Sequence, residues 1–450
     1  MAIKPVQIGL FSPTQSLPPQ VVEVNKGSSS ETLKRLLTED LDFSGQNGSY
    51  TTHNFHSFPA KFPPQLPRKF IAALTHPGER VLDPMAGSGT TILEAMILGR
   101  LGLGLDIDPL ALALCKVKVT PLNIEKLMRH AERILDRAKT SLKGQRDDLQ
   151  NTLALRFDPL TKKFLDYWFL NETKLELLAL VQEIEGVKDP DVRRFLLVVF
   201  SSIIITKSGG VSLAYDLAHT RPHKLKDKAP RPAIEEFEKK VNKAIHGISN
   251  LAHCKGRALA FCGSALDMGL ADNSVDLIVT SPPYASNAID YMRAHKFSLI
   301  WMGYPISTLA RMRGTYMGGE QTTGVEDKKF PKYPQKIISK IERKDIRKAN
   351  VYKRYLAEMS NCLSEMLRVL KPGRAAIIVV GSSLMRGIDT ETASCLGSVG
   401  DSLGFDLIGI SERRIDRNKR MMPARDGSEK VSRIEERMHR EHVIGLVKPK

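Results

Sequence analysis

Four residues at the end of an apolar run have the types needed to hold an amino group. The run 275–280 is typical of a buried strand, and Ser281-Pro282-Pro283-Tyr284 follows it directly. The prolines bring no N–H, so the corner offers two acceptors, the Ser281 hydroxyl and the Pro282 carbonyl, beside the Tyr284 ring. Pro283 also keeps Pro282 extended, which aims that carbonyl. Such a corner suits a planar base with an exocyclic amine.

The chemistry that this corner favours is methylation of that amine. The exocyclic nitrogen of cytosine or adenine is a poor nucleophile, because its lone pair is delocalised into the ring. Two acceptors on its hydrogens would aim the lone pair at a methyl donor, and such orientation contributes roughly 7–11 kcal/mol in favourable cases. A base inside a duplex must be flipped out to reach such a pocket. No covalent intermediate is needed, so none of the five cysteines is expected to be essential.

A second segment, VLDPMAGSGTTILEA at 81–95, predicts a strand, a glycine turn and a helix. Gly87 and Gly89 would allow a ligand close to the backbone. A phosphate-binding loop would need a lysine after Gly89, and a dinucleotide loop would need glycine where Ile92 stands. Asp83 at the strand end suits a cation instead. A plain strand–helix turn is the alternative interpretation.

The next predicted strand ends in Asp106, which could accept both hydroxyls of a ribose. S-adenosylmethionine combines such a ribose with two cationic groups, an ammonium and a sulfonium. Asp83 and Asp106 together therefore favour S-adenosylmethionine as the cofactor over a nucleotide phosphate.

The elements that must position these residues alternate along the chain. Helices such as 90–98 and 352–370 fall between short apolar runs, and this alternation predicts an α/β fold with a doubly wound, mostly parallel sheet. The seven strand candidates are 80–83, 102–106, 257–262, 275–280, 374–380, 405–411 and 442–447.

Three long excursions interrupt this alternation. The first, between the second and third strands, reads as helical, although its apolar segment 192–205 could be helix or strand. The second, 305–350, carries 11 Lys and Arg against 5 Asp and Glu, and the third, 413–440, carries 10 against 5. In the second excursion, Lys328, Lys329 and Lys332 are candidates for contacts with nucleic-acid phosphates, although a solvated face is the other interpretation.

Composition bounds the class of protein. The chain has 450 residues, 42% of them hydrophobic, with a formal net charge of +17, which favours an anionic partner such as nucleic acid. The cysteines are scattered without metal-ligand spacing, and His219 and His223 lack a partner ligand, so no metal site is expected. Neither a signal peptide nor a membrane span is apparent, and these features together predict a reduced, cytoplasmic protein.

As an ordered set, these segments resemble the amino-group DNA methyltransferases, enzymes that form N4-methylcytosine or N6-methyladenine. DPMAGSGT resembles their cofactor loop, with Met85 in place of a common phenylalanine, and GLDIDP resembles their ribose-binding strand end. HSFPAKFPPQLP at 56–67 resembles the segment that closes over the methionine end of the cofactor. DNSVDLIVTSPPY resembles the catalytic strand and corner, and a serine that opens this corner resembles the cytosine-N4 enzymes.

The resemblance implies a Rossmann-like, seven-stranded methyltransferase sheet with a large helical insertion. It divides the chain into an N-terminal extension at 1–50, a cofactor-binding part at 51–115, a helical insertion at 116–255 and a catalytic part at 256–450. The insertion is a candidate target-recognition region. The implied cofactor-binding residues are Phe58, Lys61, Asp83, Met85, Gly87, Gly89, Thr90 and Asp106, and the implied catalytic residues are Ser281, Pro282, Pro283 and Tyr284.

The resemblance also implies a function and partners. The expected activity is site-specific methylation of the N4 amine of cytosine in double-stranded DNA, with base flipping. The expected biological setting is restriction-modification beside a cognate endonuclease. Three alternatives stay open at this point: an adenine-N6 DNA methyltransferase, an RNA base methyltransferase, and a catalytically silent nucleic-acid-binding protein on the same scaffold.

Overall fold

The computed structural model describes residues 27–59, 61–207, 209–218, 222–285, 290–319, 328–415 and 440–450. The sequence-based predictions for His219 and for most of 413–440 lie outside these residues. Within them, no helix is long and apolar enough to cross a bilayer. They also contain no group of three His, Cys, Asp or Glu side chains that could hold a metal ion.

One seven-stranded sheet forms the centre of the molecule, in the order β3-β2-β1-β4-β5-β9-β8. The strands from β3 to β5 are parallel, and β9 is antiparallel to both β5 and β8. The prediction of a doubly wound, mostly parallel sheet is therefore confirmed. The strands are β1 (Arg80–Asp83), β2 (Leu101–Asp106), β3 (Arg257–Cys262), β4 (Val275–Thr280), β5 (Leu370–Gly381), β8 (Asp406–Arg414) and β9 (Arg440–Val447).

Helices cover the sheet and build the first excursion. The segment whose pattern allowed helix or strand is helical, and it packs against the helix that follows β2 and the helix that follows the corner after β4. The helices are α1 (Ser29–Thr38), α2 (Gln65–Leu74), α3 (Thr90–Ile97), α4 (Pro109–Val119), α5 (Ile124–Gly144), α6 (Arg146–Arg156), α7 (Pro159–Trp168), α8 (Asn171–Glu185), α9 (Pro190–Ile204), α10 (Ala233–Ser249), α11 (Tyr291–Leu299), α12 (Ile306–Thr315), α13 (Lys332–Glu342), α14 (Ile346–Val369) and α15 (Thr392–Leu403). A short hairpin pairs β6 (Leu384–Met385) with β7 (Ile388–Asp389).

Local capping explains where two of these helices begin. The Ser28 hydroxyl accepts from the Glu31 N–H while the Glu31 carboxylate accepts from the Ser28 N–H, which is the capping box that starts α1. At α4, the Asp108 carboxylate accepts from the N–H groups of Leu110 and Ala111. Asp108 is therefore fixed two residues beyond Asp106, at the edge of the sheet where the predicted site lies.

The core continues without a break from the sheet into the first excursion. Strand β4 lies in the middle of the sheet, and each of its residues is buried. On one face, apolar residues of α3 and α4 join those of α5, α8, α9 and α10 in a single buried cluster. Because α9 also contacts α11, this packing sets the position of α11 relative to the carboxyl ends of the strands.

Candidate active site

A cavity of about 350 Å³ lies at the carboxyl ends of β1, β2 and β4. Small-molecule sites of open α/β sheets occur at this edge, and their volumes are of this order. Its wall is formed by Phe58, Pro84, Met85, Gly87, Asp106, Ile107, Asp108, Ala111, Gly263, Ser264, Ala265, Leu266, Ser281, Pro283, Asp290, Tyr291, His295, Ala310, Arg313, Gly314, Thr315, Tyr316, Met317, Gly319 and Arg354. The glycine turn, the end of β2 and the corner after β4 thus share one cavity.

The carboxylate of Asp106 is anchored by two backbone groups. It accepts from the Gly87 N–H at 2.8 Å and from the Asp108 N–H at 2.8 Å. A carboxylate has about four acceptor positions, so two remain for a ligand. Burial, with the neighbouring charge of Asp108, raises the pKa of Asp106 to about 7. A ligand that donates two hydroxyls here would favour the ionised form.

Asp83 is placed differently from Asp106. Its carboxylate is buried and accepts from the Thr280 hydroxyl at 2.7 Å and from the Met85 N–H at 3.2 Å. It therefore ties the end of β1 to the end of β4 and is not part of the cavity wall. Burial raises the pKa of Asp83 to about 6.

The glycine turn has the geometry that its residues suggested. Gly87 and Gly89 have φ values of 49° and 74°, in the left-handed region that favours glycine. A Cβ on Gly89 would lie 3.0 Å from the Cys115 sulfur, so this glycine also lets α3 and α4 approach. Thr90 starts α3, and its hydroxyl lies 3.2 Å from that of Ser88, away from the cavity wall. The Phe58 ring covers Gly87, 3.5 Å from where a Cβ would stand.

The corner after β4 places two of its four residues in the wall. Ser281 and Pro283 line the cavity, whereas Pro282 and Tyr284 do not. The Tyr284 hydroxyl donates to Glu441 of β9 at 2.6 Å. Its ring lies so close to Gly381 that a Cβ there would be 2.8 Å away. The tyrosine therefore locks the corner to β5 and β9.

A segment that sequence reasoning left as a basic excursion covers this corner. We call 310–319 the covering segment. The Tyr316 hydroxyl donates to Asp108 at 2.9 Å, and the Arg313 guanidinium pairs with Asp290 at 2.6 Å. The Gly318 N–H donates to Glu358 of α14 at 3.0 Å. These contacts hold the covering segment in the cavity wall, against Asp108, Asp290 and α14.

Helix α11 contributes two further wall residues, Tyr291 and His295. His295 Nδ1 lies 2.7 Å from Asp108, and the Phe58 ring stacks on Tyr291 with a centroid distance of 5.8 Å. The signal in the sequence is their i, i+4 spacing directly after the corner, which puts both on one face of a helix. The sequence does not indicate Asp108 as the partner of His295, because an aspartate that caps a helix after a strand is an ordinary structural feature.

The lysines that the sequence predicted to bind the cofactor or nucleic acid lie in different environments. The partly buried Lys61 donates its ammonium hydrogens to the carbonyls of His53 and His56 at 3.1 and 3.0 Å, outside the cavity wall. Burial lowers the pKa of Lys61 to about 8. Lys329 and Lys332 are exposed, whereas Lys328 is partly buried and donates to Asn361 at 2.7 Å.

These residues fit S-adenosylmethionine. Asp106 retains acceptor positions for ribose hydroxyls, the turn at Gly87 leaves the backbone open to close approach, and the cavity continues from there to Ser281. The strand order and this site define an S-adenosylmethionine-dependent methyltransferase with a Rossmann-like fold.

Comparisons with known proteins narrow this class. The family model for N6 and N4 DNA methylases matches residues 20–116. The Type II methyltransferase M.MvaI of Kocuria varians is 24% identical over 430 residues, which cover 90% of this chain and 93% of that protein. The Type II methyltransferase M.AvaI of Nostoc sp. is 24% identical over 371 residues, 73% of each chain. These matches show that the chain is similar to the amino-group DNA methyltransferases.

Among solved structures, similarity is distant. A methyltransferase from Methanosarcina mazei aligns over 84% of this chain and 95% of its own, with a TM-score of 0.28 and 12% identity. The rRNA methyltransferase aviRa from Streptomyces viridochromogenes aligns over 77% of this chain and 85% of its own, with a TM-score of 0.28 and 13% identity. The strand order β3-β2-β1-β4-β5-β9-β8 is the observation that defines the fold.

Proposed function

We propose that this chain transfers a methyl group from S-adenosylmethionine to the N4 amine of cytosine at a specific sequence in DNA. The observation that carries the proposal is that Ser281 lines the same cavity as Asp106 and Gly87. The Ser281 hydroxyl, a hydrogen-bond acceptor, therefore lies in the same cavity as the residues that we assign to the cofactor. The serine at this position, together with the family resemblance, favours cytosine over adenine.

The chain's own residues act by positioning. Bound S-adenosylmethionine supplies an electrophilic methyl group on its sulfonium. The Ser281 hydroxyl and the Pro282 carbonyl would accept from the two amine hydrogens and so direct the nitrogen lone pair. Asp106 would hold the ribose, and Phe58 would cover the cofactor from the side of the glycine turn. Asp83, bonded to Thr280, would keep the turn and the corner in register.

Tyr284 has a supporting place in this proposal. Its hydroxyl is engaged by Glu441, and the same carboxylate pairs with Arg413, which also donates to the Leu41 carbonyl. The ring is thus fixed beside the corner at the end of β4, and we assign it to stack on a flipped base once that base enters. Stacking of a base on an aromatic ring is worth ~1–3 kcal/mol.

The proposed substrate also needs a surface for the duplex. The net charge of +17 favours binding to phosphates. We assign the phosphate contacts to Lys329 and Lys332, with Lys328 in support, and target recognition to the helical insertion at 116–255. A cognate restriction endonuclease would complete the biological role.

Nucleoside analysis tests the target base. We expect incubation with methyl-labelled S-adenosylmethionine and plasmid DNA, followed by digestion and mass spectrometry, to yield labelled N4-methylcytosine. N6-methyladenine alone would contradict the base assignment and leave the reaction class intact, whereas 5-methylcytosine would contradict the mechanism. A parallel incubation with RNA distinguishes the RNA alternative, and absence of label in every substrate would favour a silent binding protein.

Ser281→Ala tests the role of the corner. One of two acceptors is lost, and a neutral hydrogen bond contributes roughly 0.5–1.5 kcal/mol, so methyl transfer should slow by about 2- to 10-fold. Cofactor affinity and thermal stability should stay unchanged. Ser274→Ala, at the opposite end of β4, is the matched control and should keep full activity. Full activity in Ser281→Ala would contradict the proposed mechanism.

A further inference from the structure

One wall residue of the cavity has a polar atom that nothing in the described residues satisfies. His295 is fully buried on α11, and its Nδ1 lies 2.7 Å from Asp108 Oδ2. Its Nε2 has no hydrogen-bond partner among the residues that the structure describes. Buried polar atoms are rarely left in this state, so a missing partner is the first explanation to consider.

The surroundings of Asp108 determine which ring nitrogen carries the proton. The carboxylate accepts from two backbone N–H groups of α4 and from the Tyr316 hydroxyl. Three donors therefore face this buried carboxylate, and such hydrogen bonds favour its ionised form. An ionised Asp108 can only accept, so Nδ1 of His295 carries the proton. In the neutral ring, Nε2 is then a bare acceptor that requires a donor.

His295 belongs to the half of the cavity that would hold the cofactor. Its ring lies 4.9 Å from that of Phe58, which in turn covers Gly87. Its partner Asp108 donates its own N–H to Asp106 at 2.8 Å. Asp108 thus contacts both the His295 imidazole and the Asp106 carboxylate that we assign to the ribose.

We propose that His295 is a further cofactor-binding residue, whose Nε2 accepts a hydrogen bond from a ribose hydroxyl of S-adenosylmethionine. Asp108 is then a positioning residue that fixes the tautomer, and Tyr316 joins the covering segment to this pair. The proposal is independent of the target base. A water between His295 Nε2 and His56 Nδ1 is the competing occupant, since His56 is also buried and its Nδ1 lacks a partner within the described part of the chain.

Two substitutions separate the nitrogens of the ring. His295→Asn places an amide near Nδ1 and keeps a donor for Asp108, but it removes the acceptor at Nε2. His295→Gln places an amide oxygen near Nε2. Titration with S-adenosylhomocysteine should show an affinity loss of about 3- to 10-fold in His295→Asn and a smaller loss in His295→Gln. Unchanged affinity in His295→Asn would overturn the proposal.

A thermodynamic cycle that combines His295→Asn with modified ligands identifies the ligand group that donates to Nε2. For the 2′-deoxy or the 3′-deoxy analogue of S-adenosylhomocysteine, wild-type protein and His295→Asn should bind within about twofold of each other, because both sides of the contact are then absent. If the loss in His295→Asn persists with both deoxy analogues, Nε2 does not contact the ribose. If it disappears only with methylthioadenosine, which lacks the amino-acid end, the partner is the ammonium and the ribose assignment is wrong.

Thermal unfolding of both variants shows whether the fold survives. Should His295→Asn not fold, wild-type protein labelled with ¹⁵N-histidine provides the same test. Addition of S-adenosylhomocysteine should shift one buried, unprotonated imidazole nitrogen, and one of the deoxy analogues should not. Absence of such a shift, or equal shifts with all three ligands, would overturn the proposal.

Discussion

Asp83 and Asp106, which the sequence predicts to bind the cofactor together, have different surroundings in the structure. Asp106 lines the cavity and keeps acceptor positions for a ligand there, whereas Asp83 lies behind the wall, where it accepts from Thr280 and Met85. Burial is the largest cause of a raised pKa at both carboxyls. Cofactor binding should therefore depend on the ionisation of Asp106 directly and on that of Asp83 through the geometry of the turn.

The pH dependence of cofactor affinity follows from these values. The free protein holds the pKa of Asp106 at about 7, and hydroxyl donors favour the carboxylate, so binding should release protons between about pH 6 and 7. Affinity should fall up to about tenfold per pH unit below 7 and level off above it. Calorimetry in buffers of different ionisation enthalpy would measure this release.

Asp106→Asn is the variant that tests this assignment. It should weaken S-adenosylhomocysteine binding by roughly 10-fold or more, since hydrogen bonds to charged groups are worth ~1.5–3 kcal/mol. It should also remove the dependence of affinity on pH near 7. Asp272→Asn, an exposed residue before β4, is the control. An unchanged pH profile in Asp106→Asn would exclude Asp106 as the titrating group.

Among the elements, the covering segment most directly joins distant parts of the site. Gly318 has a φ of 73°, and a Cβ there would lie 3.2 Å from the Tyr284 carbonyl oxygen. Its own N–H is bonded to Glu358 of α14. A side chain at this position must therefore push the covering segment away from the corner or shift the corner itself.

Gly318→Ala should reduce methyl transfer more than it reduces stability. The strained backbone costs of order 1–3 kcal/mol, and the contact with Tyr284 adds a displacement at the site. Gly387→Ala is the matched control, because Gly387 has a φ of 78° with no atom within 4 Å of a Cβ. Both variants should melt at lower temperature, and only Gly318→Ala should show a large fall in kcat. Equal kcat values in the two variants would mean that the covering segment has no catalytic role.

At the scale of the whole molecule, charge and surface decide the interaction with DNA. The exposed lysines at the start of α13 are Lys329 and Lys332, and Lys328 is partly occupied by Asn361. If the first two contact phosphates, their double replacement by alanine should weaken binding about equally on all sequences. It should also reduce the slope of log affinity against log salt by about 2.

Salt titration of binding by fluorescence anisotropy measures this effect. The control is the double variant Lys34→Ala/Lys450→Ala, which removes the same charge from exposed positions outside both the basic excursions and the helical insertion. If the two double variants have the same slope, the region of α13 does not face the nucleic acid.

The sequence alone determined the strands and the order of the site segments. A parallel strand that is buried on both faces needs a continuous apolar run, and such a run is visible locally; β1 and β4 have the bounds that their runs predict. The edge strand β3 also has its predicted bounds, although most of its residues are exposed. The glycine turn and the corner are also local, because left-handed φ values and missing N–H groups belong to single residues. Their position at one edge follows from the parallel order of the strands.

Only the tertiary structure decided which side chains reach the cavity. It brought Ser281 and Asp106 to one wall and placed Asp83, Lys61 and Tyr284 outside it. It also paired Asp108 with His295 across 187 positions of the chain. Residue spacing constrains neighbours within a few turns of a helix or strand, whereas these contacts depend on how α9, α11 and the covering segment pack on the sheet. Packing of elements that are distant in sequence leaves no local pattern to read.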